Sequence, residues 1–138
     1  MRQGRGALVS TLPGLAASTG SEQMMDMHID QRVLRDLQDI MEGGYQQLLE
    51  IFLEDSERRL SQLHAARNAS ELGMAAHSFK GSSSNMGAVG LAALCQQLEE
   101  RVKQSPAYGV EDLVNRIDSE YRQVKCFYLL ERERVAGS

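Results

Sequence analysis

Apolar residues recur at intervals of three and four along most of this chain, the mark of helices that each bury one face. The pattern starts at Asp30, an N-cap type, and predicts a helix over about 30 to 42 with Val33, Leu34, Leu37 and Ile40-Met41 on its apolar side. Gly43-Gly44 ends it. A second helix over about 45 to 67 carries Tyr45, Leu48, Leu49, Phe52, Leu60 and Leu63 as its stripe, interrupted only by Ser56. Asn68-Ala69-Ser70 makes the next turn, with Ser70 as the expected N-cap of a helix from about 71 to 86 that stops near Gly87. The fourth, about 88 to 104, turns Leu91, Leu94, Cys95, Leu98 and Val102 inward. After the breaker cluster Ser105-Pro106-Ala107-Tyr108-Gly109, a last helix carries Leu113, Ile117, Tyr121, Val124 and Tyr128 at helical spacing. No alternating strand pattern and no internal repeat occurs. The pattern predicts an all-α fold: an up-down-up-down antiparallel four-helix bundle over about 45 to 132, with Phe52, Phe79, Leu94 and Ile117 at its centre. The helix at 30 to 42 is a short N-terminal accessory covering one end.

Composition adjusts this picture little. The chain has 138 residues, 42% of them hydrophobic and 25% charged, enough for one domain with a real core. Prolines stand only at Pro13 and Pro106, which leaves the helical stretches unbroken. A net charge of −4 argues against a nucleic-acid partner, and the apolar runs are too short to cross a membrane. Cys95 and Cys126 lack any CxxC or zinc-type spacing and read as reduced, packed thiols of a cytoplasmic protein. Residues 1–27 differ from the rest. Their apolar run is short and broken by Ser10, Thr11, Pro13 and Gly14, unlike the core of a signal peptide. A flexible tail over 1–27 and a helical domain over 28–134 is the expected division, with Met24, Met25 and Met27 crowding the point where the domain begins.

The third helix carries candidate chemistry. With His77 at zero on a wheel of about 100° per residue, Leu72, Ala75, Phe79 and Met86 fall within about 40° of the opposite side. Those four must face the core, so His77 faces out. Gly73 and Gly81 lie one turn before and after it, at about −40° and +40°. Each glycine costs roughly 1 kcal/mol of helix stability relative to Ala. Two of them beside one outward His clear space around its ring. Lys80 and Ser84, at about −60° and −20°, place a cation and a hydroxyl near the ring edge, an arrangement suited to a bound anion. Near neutral pH an unperturbed imidazole is mostly uncharged and nucleophilic, able to take up a transferred group and pass it on.

A lone surface histidine on a helix ordinarily does nothing, and Gly81-Ser82-Ser83-Ser84 alone reads as a weak, Ser-rich helix end. The residues around His77 do more than that. His77-Ser78-Phe79-Lys80-Gly81-Ser82-Ser83, then Asn85-Met86-Gly87-Ala88, then Leu91, Cys95 and Leu98-Glu99, resemble the signature of histidine-containing phosphotransfer (HPt) domains. The stretch Phe52-Leu53-Glu54 with Leu60 to Leu63 resembles that family's second helix, and the similarity covers about 30 to 130. Phe79 stands where the family more often has Leu, which preserves a bulky core side chain. The resemblance implies that His77 accepts a phosphoryl group, that Lys80 helps stabilise it and that Gly81 keeps the ring accessible. It implies partners too. The phosphoryl group would come from an aspartate in the receiver domain of a hybrid sensor kinase and go to the aspartate of a response regulator. Magnesium would belong to the receiver, and this chain would work as a monomer without a cofactor or metal of its own.

Other chemistries fit poorly. Neither the phosphate-binding GxxxxGK[ST] loop nor GxGxxG occurs, so no autokinase is expected. Ser82 and Ser83 point coreward and Ser84 lies two turns from His77, which is poor geometry for a hydrolytic triad. His28, His64 and His77 are scattered without metal-ligand spacing, and His64 reads as a solvated or boundary residue. The remaining alternative is a non-catalytic helical adaptor that binds a signalling partner irrespective of phosphorylation. The intact His77-x-x-Lys80-Gly81 weighs against it, since a pure adaptor has no need of a cleared histidine.

Overall fold

A computed structural model describes residues 27–137. Five α-helices fill that range: α1 Gln31–Met41, α2 Tyr45–Ala65, α3 Ala69–Asn85, α4 Val89–Arg101 and α5 Val110–Ala136, with a 3-10 turn at Glu42–Gly44 between the first two. No strand occurs among the described residues. Helices α2 to α5 pack each against the next and α2 against α5, which closes an antiparallel four-helix bundle. Phe52, Phe79, Leu94 and Ile117 are all buried in its core, as the periodicity predicts. Phe52 meets Tyr128 edge-on, with ring centroids 4.9 Å apart. Three core tyrosines keep their hydroxyls satisfied. Tyr128 donates to the Met86 carbonyl at 2.6 Å, Tyr45 to Glu131 at 2.7 Å and Tyr121 to Glu57 at 2.7 Å. Ser56, the break in the α2 stripe, is wholly buried and has no hydrogen-bond partner among the described residues.

Several boundaries differ from the sequence reading. Helix α3 starts at Ala69, because Asn68 rather than Ser70 caps it: the Asn68 side chain accepts from the Glu71 N–H at 2.9 Å. Glu71 in turn accepts from the Arg67 N–H at 2.9 Å, so both sides of this helix start are satisfied. Helix α4 is shorter than predicted, ending at Arg101 in a turn, and α5 runs on to Ala136. Ile40 and Met41 are exposed rather than packed. Helix α1 meets the bundle through Val33, Leu34 and Leu37, and Gln38 accepts from Arg134 of α5 at 3.0 Å. Cys95 is buried, with its thiol pushed up to about 12 by desolvation, but Cys126 is exposed, so only one of the two thiols is packed.

The flexible tail predicted over 1–27 lies outside the described residues except for Met27, and the residues after Met27 are firmly anchored. Ile29 is fully buried, and the Asp30 N–H donates to the Gly87 carbonyl at 2.7 Å. Gly87 has φ +77, and a Cβ there would stand 2.8 Å from the Asp30 carbonyl oxygen, so the α3–α4 turn requires glycine. Beside it, His28 Nδ1 lies 2.6 Å from the largely buried Glu120 carboxylate on α5. Gly90 is the floor of this contact. A Cβ there would collide with Glu120 Oε2 and stand 2.8 Å from the Met27 carbonyl oxygen. Gly90→Ala should therefore destabilise the fold by about 1–3 kcal/mol despite the better helix propensity of Ala, as overpacking does. Urea unfolding of the two proteins measures this directly, and an unchanged or raised midpoint would refute the close approach.

Candidate functional site

Helix α3 carries His77 on its outer side because Ala76, Phe79 and Ser83 hold its opposite side in the core. The His77 side chain is 66% exposed. Its Nδ1 lies 2.8 Å from Oε2 of Glu99 on α4. The other carboxylate oxygen of Glu99 accepts from Lys80 Nζ at 2.9 Å, and Lys80 also donates to Gln96 Oε1 at 2.8 Å. One carboxylate thus ties together the histidine and the lysine that stand one turn apart on α3. Lys80 foremost, and His77 after it, holds the Glu99 carboxyl below the usual carboxylate range. Glu99 is therefore ionised near neutral pH and can only accept, so it is Nδ1 that carries the ring proton. When the ring carries a single proton its lone pair then sits on Nε2, which has no partner among the described residues.

The two flanking glycines differ. At Gly81 an added Cβ would meet nothing within 4 Å, so the space beyond it is open. At Gly73 a Cβ would stand 3.2 Å from Val102 Cγ2, so this glycine also lets the end of α4 come close to α3. Ser84 is exposed two turns beyond His77, with no side-chain hydrogen bond among the described residues. Ser82 is half-buried and bonds the Phe79 carbonyl, and Ser83 is buried, so neither is placed to act with His77. The remaining histidines lie elsewhere: His28 pairs with Glu120, and His64 Nε2 lies 2.7 Å from Asp118.

Glu99 and Gln96 are the site residues that the sequence reading did not single out for a role. Both flank the α4 core stripe, Glu99 four residues after Cys95 and Gln96 three before Glu99. That spacing puts them on one side of the helix. It does not reveal which flank faces α3, and that is what brings Glu99 to His77.

The family model of the Hpt domain matches residues 47–125, a span that contains the His77, Lys80, Gln96 and Glu99 cluster. The chain belongs to the Hpt domain family. Among solved structures, histidine-containing phosphotransfer protein B from Pseudomonas aeruginosa PAO1 is 44% identical, with a TM-score of 0.75 over 78% of this chain and 96% of that one. A rice protein described as a candidate histidine-containing phosphotransfer protein has a TM-score of 0.72 over 94% of this chain and 98% of that one; at 16% identity it supports the fold alone. No curated protein sequence matches. As an Hpt domain, the chain is a phosphorelay intermediate, a phosphocarrier module that exchanges phosphoryl groups with receiver domains. No described helix is long and apolar enough to cross a membrane.

Proposed function

We propose that this Hpt domain carries its phosphoryl group on Nε2 of His77. The observation that carries the reading is the Glu99 contact, which assigns the ring proton to Nδ1 and leaves the Nε2 lone pair in the open. In transfer, that lone pair forms the N–P bond while the P–O bond to the receiver aspartate breaks, its electron pair leaving on the carboxylate. The ring becomes cationic, and its Nδ1 proton remains hydrogen-bonded to the Glu99 anion. Onward transfer runs in reverse, with the electron pair of the N–P bond returning to Nε2. Lys80 keeps Glu99 ionised and stands one turn from the ring, where its ammonium can share the phosphoryl charge, with the Ser84 hydroxyl as a further donor. Gly73 and Gly81 leave the ring approachable by a folded partner.

The partner supplies the rest. In this reading the donor is the receiver domain of a hybrid sensor kinase and the acceptor that of a response regulator, and magnesium is bound by the receiver. The carrier, spanning about 28–134, works as a cytoplasmic monomer with no cofactor, ATP site or nucleic-acid partner. The test is to incubate the protein with a phosphorylated receiver and locate the label by mass spectrometry under alkaline conditions. An acid-labile, base-stable phosphoryl group on His77 is expected, as for a phosphoramidate. A label on Ser82, Ser83 or Ser84 would end the proposal. Glu99→Gln offers a second check on the ring's orientation. It retains an acceptor for the Nδ1 proton but loses the charge that favours the cationic ring, and because the ring is exposed the expected loss in acceptance rate is severalfold. An unchanged rate would show that Glu99 does not position or stabilise the ring.

A further inference from the structure

His77 is not centred in its open surroundings. On its N-terminal side, over the close approach of α3 and the end of α4 at Gly73, lies a cleft of about 640 Å³, walled by Gly73, Met74, His77, Glu99, Val102 and Lys103. Toward Gly81 the surface is open, since an added Cβ there would meet nothing within 4 Å. The cleft wall is mostly apolar, and Met74 is 67% exposed above it, an adaptable apolar side chain left in water next to the reacting ring. Its charge is equally one-sided. Lys80 is engaged by Glu99 and Gln96, so its charge is largely offset within the chain. Lys103, exposed at the cleft rim, has no ion-pair partner among the described residues and is the cation left to meet an outside acid.

We infer that this cleft is where the chain reads its receivers: an apolar side chain of the receiver domain enters beside Met74 and Val102, and an acidic group of the same receiver meets Lys103. This rests on His77 being the phosphoryl site. The occupant follows from continuity, because His77 is itself part of the cleft wall. Any receiver whose aspartate comes within bonding distance of Nε2 also covers the residues beside the ring. A free phosphoryl donor has no apolar group to place there, whereas a folded partner does. The polar end favours the same partner, since a surface that carries a phosphoryl-accepting aspartate and holds magnesium is acidic. Met74 and Lys103 therefore set which receivers exchange phosphoryl groups at a useful rate, while Glu99 and Lys80 serve the chemistry common to all of them.

The experiment compares Met74→Asp and Lys103→Glu with the unchanged protein against a panel of phosphorylated receiver domains, with phosphoramidate as a small donor. Both positions are exposed, and circular dichroism verifies the fold. Expected is a loss of at least about tenfold in transfer at limiting receiver for each variant, from weaker binding rather than a slower saturated rate. For Lys103→Glu the loss should shrink as salt is raised, and the ranking of receivers should change. Labelling of His77 by phosphoramidate should be unaffected in both. Wild-type transfer by both variants with every receiver would overturn the inference. So would a change confined to the sedimentation of the protein alone, which would make the cleft a contact between copies of this chain. Failure of phosphoramidate to label His77 in the unchanged protein would instead count against the phosphoryl site itself, and the two failures are distinguishable.

Discussion

His77→Gln should abolish phosphoryl acceptance from every receiver while the protein remains folded. Glutamine has no nucleophilic ring nitrogen, and its amide nitrogen lone pair is delocalised, so no N–P bond can form. The fold should barely register the change. The His77 side chain is 66% exposed, and its one tertiary polar contact is with Glu99, to which a Gln amide can also donate. Glutamine is also a better helix former than histidine, so the stability change should stay within about 0.5 kcal/mol, as for surface positions in general. The controls are His28→Gln and His64→Gln, which should accept phosphoryl groups normally. His28→Gln should nevertheless be the less stable of the two, because it disturbs the contact with the largely buried Glu120. Phosphorylation is read by mass spectrometry at alkaline pH, and stability by urea unfolding. Full acceptance by His77→Gln would leave the non-catalytic adaptor as the better account of this bundle.

The helices and the outward direction of His77 were legible because one physical rule governs both: a side chain opposite Phe79 and Met86 on α3 cannot be in the core. Asn68 was misjudged as part of the turn because Asn68 and Ser70 are both good caps, and local sequence does not say which of them releases its backbone from the helix. Ile40 and Met41 continue the α1 stripe in sequence, but a stripe predicts burial only where another element is present to cover it. Glu99 could not be assigned for a related reason. Periodicity fixes which residues of α4 share a flank, whereas the rotation of α4 against α3 is set by how Leu91, Cys95 and Leu98 interdigitate with the other helices. The anchoring of His28–Asp30 was hidden as well, since the Gly90 that admits the Glu120 carboxylate reads in sequence only as a weak helix residue. For Ile40, Met41, Glu99 and Gly90 the missing information was the identity of the neighbouring surface, whereas for Asn68 it was a choice between two local caps.

Gly81→Leu should separate access from chemistry. An added Cβ at this position touches nothing in the protein, so the bundle has room for the side chain, and leucine is preferred to glycine in a helix by about 1 kcal/mol. The melting temperature should hold or rise. Transfer from a phosphorylated receiver should nevertheless fall by about 100-fold, because a branched side chain one turn from the ring displaces the incoming aspartate by an ångström or more from its line of approach to Nε2. Gly81→Ala, with a single methyl group, should lose much less. Phosphoramidate is small enough to pass the leucine, so it should label His77 in Gly81→Leu almost as fast as in the unchanged protein. That contrast excludes damage to the nucleophile. Gly73→Leu is a poorer probe of the same idea, since its side chain would press on Val102 and lower stability as well. If Gly81→Leu exchanged phosphoryl groups with receivers at the normal rate, the glycine would not serve access. If it lost labelling by phosphoramidate and by receivers alike, the leucine would be disturbing the His77–Glu99 contact, and the open surface at Gly81 would have to be explained by something other than the approach of a partner.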